Sequence, residues 1–73
     1  MNIRVNLDVE MAKNKMSLKQ LSQEVGISMT NLSLLKNGKV RGIRFTTLAA
    51  ICQALNCQPG DLLVFDVSAG EKS

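Results

Sequence analysis

The feature that most constrains this chain is a join of three residues, Gly26-Ile27-Ser28, between two segments of helical period. Before it, Leu21 and Val25 share one helical face; after it, Leu32 and Leu35 do the same. The punctuation on both sides is clear. Ser17 can cap the first segment, and Gln20 stands where a reciprocal capping box needs it. Met16 and Leu21 are spaced as a hydrophobic staple around that cap. Gly26 ends the segment, because glycine enters the left-handed conformation without a side-chain clash. Ser28 caps the next segment, Ile27 and Leu32 form a second staple pair, and Asn37-Gly38 stops it. Two helices joined so tightly must cross at a steep angle. Ile27 then points back into that angle, toward Leu21, Val25, Leu32 and Leu35. Successive helical residues turn by about 100°, so Met29, Thr30, Ser33, Leu34 and Asn37 fall on the side away from Leu32 and Leu35. A protruding helix of this size fits the major groove of B-DNA.

The flanking pattern extends the helical reading. A first helix is expected from about Leu7 to Lys15, with Leu7, Met11 and Met16 in the core. A basic loop, Lys39 to Arg44, follows the third helix. The fourth helix is expected from Phe45 to Leu55, with Leu48, Ile51, Cys52 and Leu55 on one face and Phe45 read as core. Asn56 is an acceptable left-handed stop. Pro59 opens a short fifth helix, with Asp61 in its first turn, where negative charge is favoured. At the ends the period changes to two. Asn2 to Val5 and Leu63 to Val67 alternate as strands and are expected to pair antiparallel beside the helices. The expected organisation is one domain over 1–67 and a disordered tail over 68–73.

Charge and composition exclude several classes of function. The formal net charge is +3, yet no Asp or Glu occurs between Glu24 and Asp61, where Lys36, Lys39, Arg41 and Arg44 lie. Such a patch attracts a polyanion or is a solvated loop, and charge alone does not decide between them. Lys13, Lys15 and Lys19 read as a solvated face. There is no histidine, and Cys52 and Cys57 are the only cysteines, too few for a zinc site. They are expected to be buried, reduced thiols. No cofactor, metal or small-molecule ligand is expected. The absence of histidine, of plausibly paired carboxylates and of a phosphate-binding glycine loop argues against an enzyme. The first residues lack a signal-peptide apolar run, and no stretch nears the ~20 residues that span a bilayer. A cytoplasmic location without membrane contact is expected.

The pattern resembles the Cro/cI-type, or XRE, helix-turn-helix family of transcriptional regulators. The resemblance rests on Leu21, Ser22, Val25, Gly26, Ile27, Leu32 and Leu35, with Ser22 at the family's small-residue position. It continues through Asn37-Gly38-Lys39, Leu48 to Leu55, and Gln58-Pro59-Gly60-Asp61-Leu62-Leu63. Ile43 to Leu48 together with Cys57 to Leu62 is similar to a subgroup of small stand-alone regulators.

The resemblance implies an all-α, five-helix, lambda-repressor-like domain that binds double-stranded DNA. Ser28, Met29, Thr30 and Leu34 match base-facing positions of the family, and Lys39 and Arg41 match backbone-contacting ones. Arg44 matches a basic position near the minor groove at the centre of a two-fold operator. Its alternative role is simply to begin the fourth helix, where the dipole disfavours a cation. Recognition helices of the family often carry glutamines; this one offers Met29 and Leu34, with Thr30, Ser33 and Asn37 as hydrogen-bonding residues. Leu18 stands where many members place a phosphate-contacting glutamine. Base reading is therefore expected to lean on thymine methyl groups. The expected function is that of a regulator, a repressor, bound as a homodimer to a pseudo-palindrome, with an interface around Phe65. The alternative is a protein-interaction module on the same fold, with Met29 and Leu34 as a docking patch.

Overall fold

Local hydrogen bonding sets most of the architecture, and a computed structural model describes it for residues 3–65. The order is β1 (Ile3–Val5), α1 (Leu7–Lys13), α2 (Leu18–Val25), α3 (Met29–Lys36), α4 (Phe45–Leu55), α5 (Pro59–Leu62) and β2 (Leu63–Phe65). Asn2, Asp66, Val67 and the expected tail over 68–73 lie outside the described residues.

The first four helices end in the same way. A residue turns left-handed just past each helix: Lys15 (φ 52°), Gly26 (85°), Gly38 (69°) and Asn56 (52°). The next N–H then reaches back five residues: Met16 to the Met11 carbonyl, Ile27 to Ser22, Lys39 to Leu34 and Cys57 to Cys52, at 2.8–3.2 Å. This closure satisfies carbonyls that the helix leaves open. It also ends α1 at Lys13, two residues before the expected Lys15. Helix starts are equally local. Ser17 Oγ accepts from the Gln20 N–H at 3.1 Å while the Gln20 side chain accepts from the Ser17 N–H at 3.0 Å. Ser28 Oγ accepts from the Asn31 N–H at 3.0 Å. At α5, the Asp61 carboxylate accepts from the Gln58 N–H at 2.9 Å.

The core is a single cluster: Leu7, Met11, Leu21, Leu32, Leu35, Leu48, Ile51, Leu55 and Leu62. Met16, Val25, Ile27 and Cys52 pack against it half-buried. α2 packs chiefly on α4 and α3. Ser22 permits this approach: it is buried, and its hydroxyl donates to the Lys19 carbonyl at 2.8 Å. The terminal strands pair antiparallel with Ile3 opposite Phe65, Arg4 opposite Val64 and Val5 opposite Leu63. The Asn6 N–H extends this join to the Leu62 carbonyl at 2.7 Å.

Two expectations are corrected, and one burial is new. Phe45 is not core; it is 85% exposed. Helical period places it about 90° from the centre of the Leu48–Ile51–Leu55 stripe, and as the first residue of α4 it has no preceding turn to shelter it. Cys52 and Cys57 are half-buried rather than buried, and both are free thiols. Glu10, unremarkable in the sequence, is buried, with Lys13 Nζ at 3.3 Å from its carboxylate.

Candidate nucleic-acid interface

The α2–α3 pair is built as the three-residue join requires. Gly26 has no neighbouring atom within 4 Å of where a Cβ would stand, so its left-handed φ, not crowding, selects glycine there. The turn brings the Ile27 N–H onto the Ser22 carbonyl and Ile27 itself against the core. Leu32 (0% exposed) and Leu35 (7%) anchor α3 from beneath.

Opposite these anchors stand the residues singled out in the sequence. Met29 is 46% exposed and Leu34 40%; Thr30 and Asn37 are also exposed. Ser33 is half-buried, a correction to its expected exposure. Its short side chain lies between Met29, Thr30 and Asn37, one turn away along the helix. Ser28 is exposed at the start of α3, and its oxygen is engaged in capping, which leaves its hydroxyl proton available to an external acceptor.

The basic loop borders the same helix. The Lys39 N–H is fixed to the Leu34 carbonyl at 2.8 Å, so the loop leaves α3 in a defined direction. Lys39, Arg41 and Arg44 are all exposed. Among the described residues, no carboxylate pairs with any of them. Arg44 is the N-cap of α4, in extended conformation, and makes no side-chain capping bond. The first N–H groups of α4 therefore lack a side-chain acceptor, and the positive end of the helix dipole faces outward.

Sequence reasoning missed one grouping. A surface groove of about 370 Å³ runs between α3 and the start of α4, with Ile27, Asn31, Leu35, Val40, Arg44 and Thr47 among its walls. Asn31, Arg44 and Thr47 line it together. Asn31 faced neither the buried stripe nor the outer face in the helical pattern, and only tertiary packing shows its neighbour. Chemically its lining offers a guanidinium, an amide and a hydroxyl among apolar side chains, which suits the anionic edge and apolar sugars of a nucleic-acid backbone.

The pattern of the Cro/C1-type HTH DNA-binding domain matches residues 6–68. The chain belongs to the Cro/C1-type helix-turn-helix family. Within that family, the chain is 60% identical over 65 residues to the "Uncharacterized HTH-type transcriptional regulator YozG" of Bacillus subtilis (strain 168). That alignment covers 89% of this chain and 77% of the relative. Among solved structures, that of a SinR protein/SinI protein complex matches with a TM-score of 0.72 at 20% identity. It covers 90% of this chain and 68% of that one, and it supports the five-helix fold. Among the described residues, no helix is long and apolar enough to cross a membrane.

Proposed function

We propose that this Cro/C1-type domain is a sequence-specific transcriptional regulator that inserts α3 into the major groove of duplex DNA as a homodimer. The observation that carries the reading is the division of α3. Leu32 and Leu35 are buried, while Met29, Thr30, Leu34 and Asn37 are exposed, followed in the chain by exposed cations that have no carboxylate partner among the described residues. A helix whose polar and apolar outer face is left free beside a basic rim suits a polyanion with readable edges.

The roles divide by position. Met29, Thr30 and Leu34, with Ser28, Ser33 and Asn37 around them, face base edges; Met29 and Leu34 suit thymine methyl groups. Lys39 and Arg41 hold phosphates, and Arg44 enters the minor groove near the operator centre. Asn31 and Thr47 join Arg44 along the backbone groove. The activity in this reading is binding without catalysis, in the cytoplasm, as a repressor.

Two copies are part of the reading. One domain this small contacts too few base pairs to select a genomic site, whereas a two-fold pair reads two half-sites about 34 Å apart. Selection of bound duplexes from random DNA, followed by titration at several salt concentrations, tests the proposal. The expected result is an enriched pseudo-palindrome and a steep salt slope from counterion release. A second reading, docking of a protein on Met29 and Leu34, draws on their exposure and on the SinR/SinI complex of a similar fold. It predicts no enriched sequence and a shallow salt slope.

A further inference from the structure

The closure of α4 brings two cysteines together. The left-handed turn at Asn56 (φ 52°) lets the Cys57 N–H donate to the Cys52 carbonyl at 3.0 Å. That bond keeps the two Cα atoms within about 7 Å of each other, inside the span that a disulfide closes. In a closure of this kind the residue after the turn commonly packs its side chain on the residue five before it. Here both side chains are thiols. The Cys57 thiol hydrogen-bonds with the Cys52 side chain, and both rest half-buried against the core as free cysteines. The equivalent pairs at the other three closures are Met11 and Met16, Ser22 and Ile27, and Leu34 and Lys39. Only the end of α4 places two thiols at these positions.

We propose that Cys52 and Cys57 form a reversible intramolecular disulfide by exchange with a low-molecular-weight disulfide, and that the bridge locks the corner between α4 and α5. Arg44 belongs to the opposite end of α4, so the bridge acts on the stability of the fold and not on the candidate interface. The proposal stands apart from the DNA-binding reading.

The exchange proceeds in two steps. The Cys52 thiolate attacks one sulfur of the small disulfide. That S–S bond breaks, and the departing thiolate takes up the proton that Cys52 released. Cys57 then attacks the Cys52 sulfur of the mixed disulfide; the second small thiolate leaves and takes the Cys57 proton. Two protein thiols are oxidised, and one small disulfide is reduced to two thiols. The environment sets the order. Burial, followed by Cys52 and Glu10, pushes the Cys57 thiol up to about 11, which makes it a poor first nucleophile. Its contact with Cys52 offsets this in the second, intramolecular step.

The test equilibrates the full chain in glutathione buffers of graded ratio, folded and in urea, and reads intact mass after acid quenching. The expected product is a single chain lighter by two hydrogens. Its closing constant should be at least about tenfold larger in the folded than in the unfolded chain. Such a gain corresponds to a rise of about 5–10 °C in melting temperature, reversed by dithiothreitol. Cys57→Ser should halt at a mixed disulfide with glutathione on Cys52, and Cys52→Ser should react at least about tenfold more slowly. A closing constant equal to or below that of the unfolded chain would overturn the inference, because the fold would then not favour the bridge. So would a disulfide joining two chains, or a Cys52→Ser variant that reacts as fast as Cys57→Ser. None of these readouts involves DNA, so their failure is distinct from failure of the DNA-binding reading.

Discussion

The side-chain amide of Asn14 donates to the Leu55 carbonyl at 3.0 Å and, with the same nitrogen, to the Glu10 carbonyl at 2.9 Å. One residue thereby ties the end of α1 to the end of α4 across 41 positions of sequence. Asn14→Ala removes both bonds. The expected cost is about 1 kcal/mol, read as a fall in melting temperature of about 4–8 °C for a domain of this size. DNA affinity at low temperature should not change, because the tie is remote from α3.

The left-handed positions make an opposed pair of predictions. Lys15 adopts φ 52° with a β-carbon, whereas Gly26 adopts 85° without one. Lys15→Gly should stabilise the fold by about 0.5–1 kcal/mol through relief of that conformation. Gly26→Ala should cost about 1 kcal/mol, since no atom crowds the added methyl group. Urea unfolding of both variants checks the opposite signs.

Leu32 and Leu34 separate folding from reading. Leu32 is fully buried, and Leu32→Ala should cost about 2–5 kcal/mol, enough to unfold much of so small a domain. Leu34→Ala should alter stability by less than about 0.5 kcal/mol. Together with Thr30→Ala, it should instead change which bases are preferred, at about 1–3 kcal/mol per affected position. Unfolding curves and repeated operator selection measure the two effects independently.

The basic loop should act without regard to sequence. Lys39→Ala and Arg41→Ala are expected to weaken operator and scrambled duplexes alike. Each should reduce the salt slope by about one unit. Arg44→Ala should also weaken preference for narrow, A·T-rich central base pairs. An unchanged slope in the loop variants would return these cations to a solvated surface.

Stability should fall at high pH through Cys57. Burial, followed by the neighbouring Cys52 and Glu10, pushes its thiol up from 9.0 to about 11. Above pH 9 the unfolded chain loses this proton first, so ionisation favours unfolding. The contribution is fully present below pH 9 and is lost as pH rises toward 11. Urea midpoints compared at pH 8 and 10.5 should fall further in the wild-type protein than in Cys57→Ala.

What the sequence determined by itself lies within about five residues of chain. The Ser17–Gln20 box, the Ser28 cap, and the closures at Gly26, Gly38 and Asn56 are short-range hydrogen bonds between residue types that favour them. These placed the α2–α3 join, and with it the buried Leu32 and Leu35 and the outward Met29, Thr30 and Leu34. The early end of α1 escaped because Lys15 is not a residue type that advertises a left-handed turn. Tertiary structure decided the rest. Phe45 followed an apolar spacing, yet none of the described residues covers it at the first turn of α4. Glu10 was buried by the elements folded over α1, and Asn31 met Arg44 and Thr47 only when α3 and α4 packed around Ile27. Periodicity assigns a residue to a face; which neighbour occupies that face depends on contacts far apart in the chain, and no local preference encodes them.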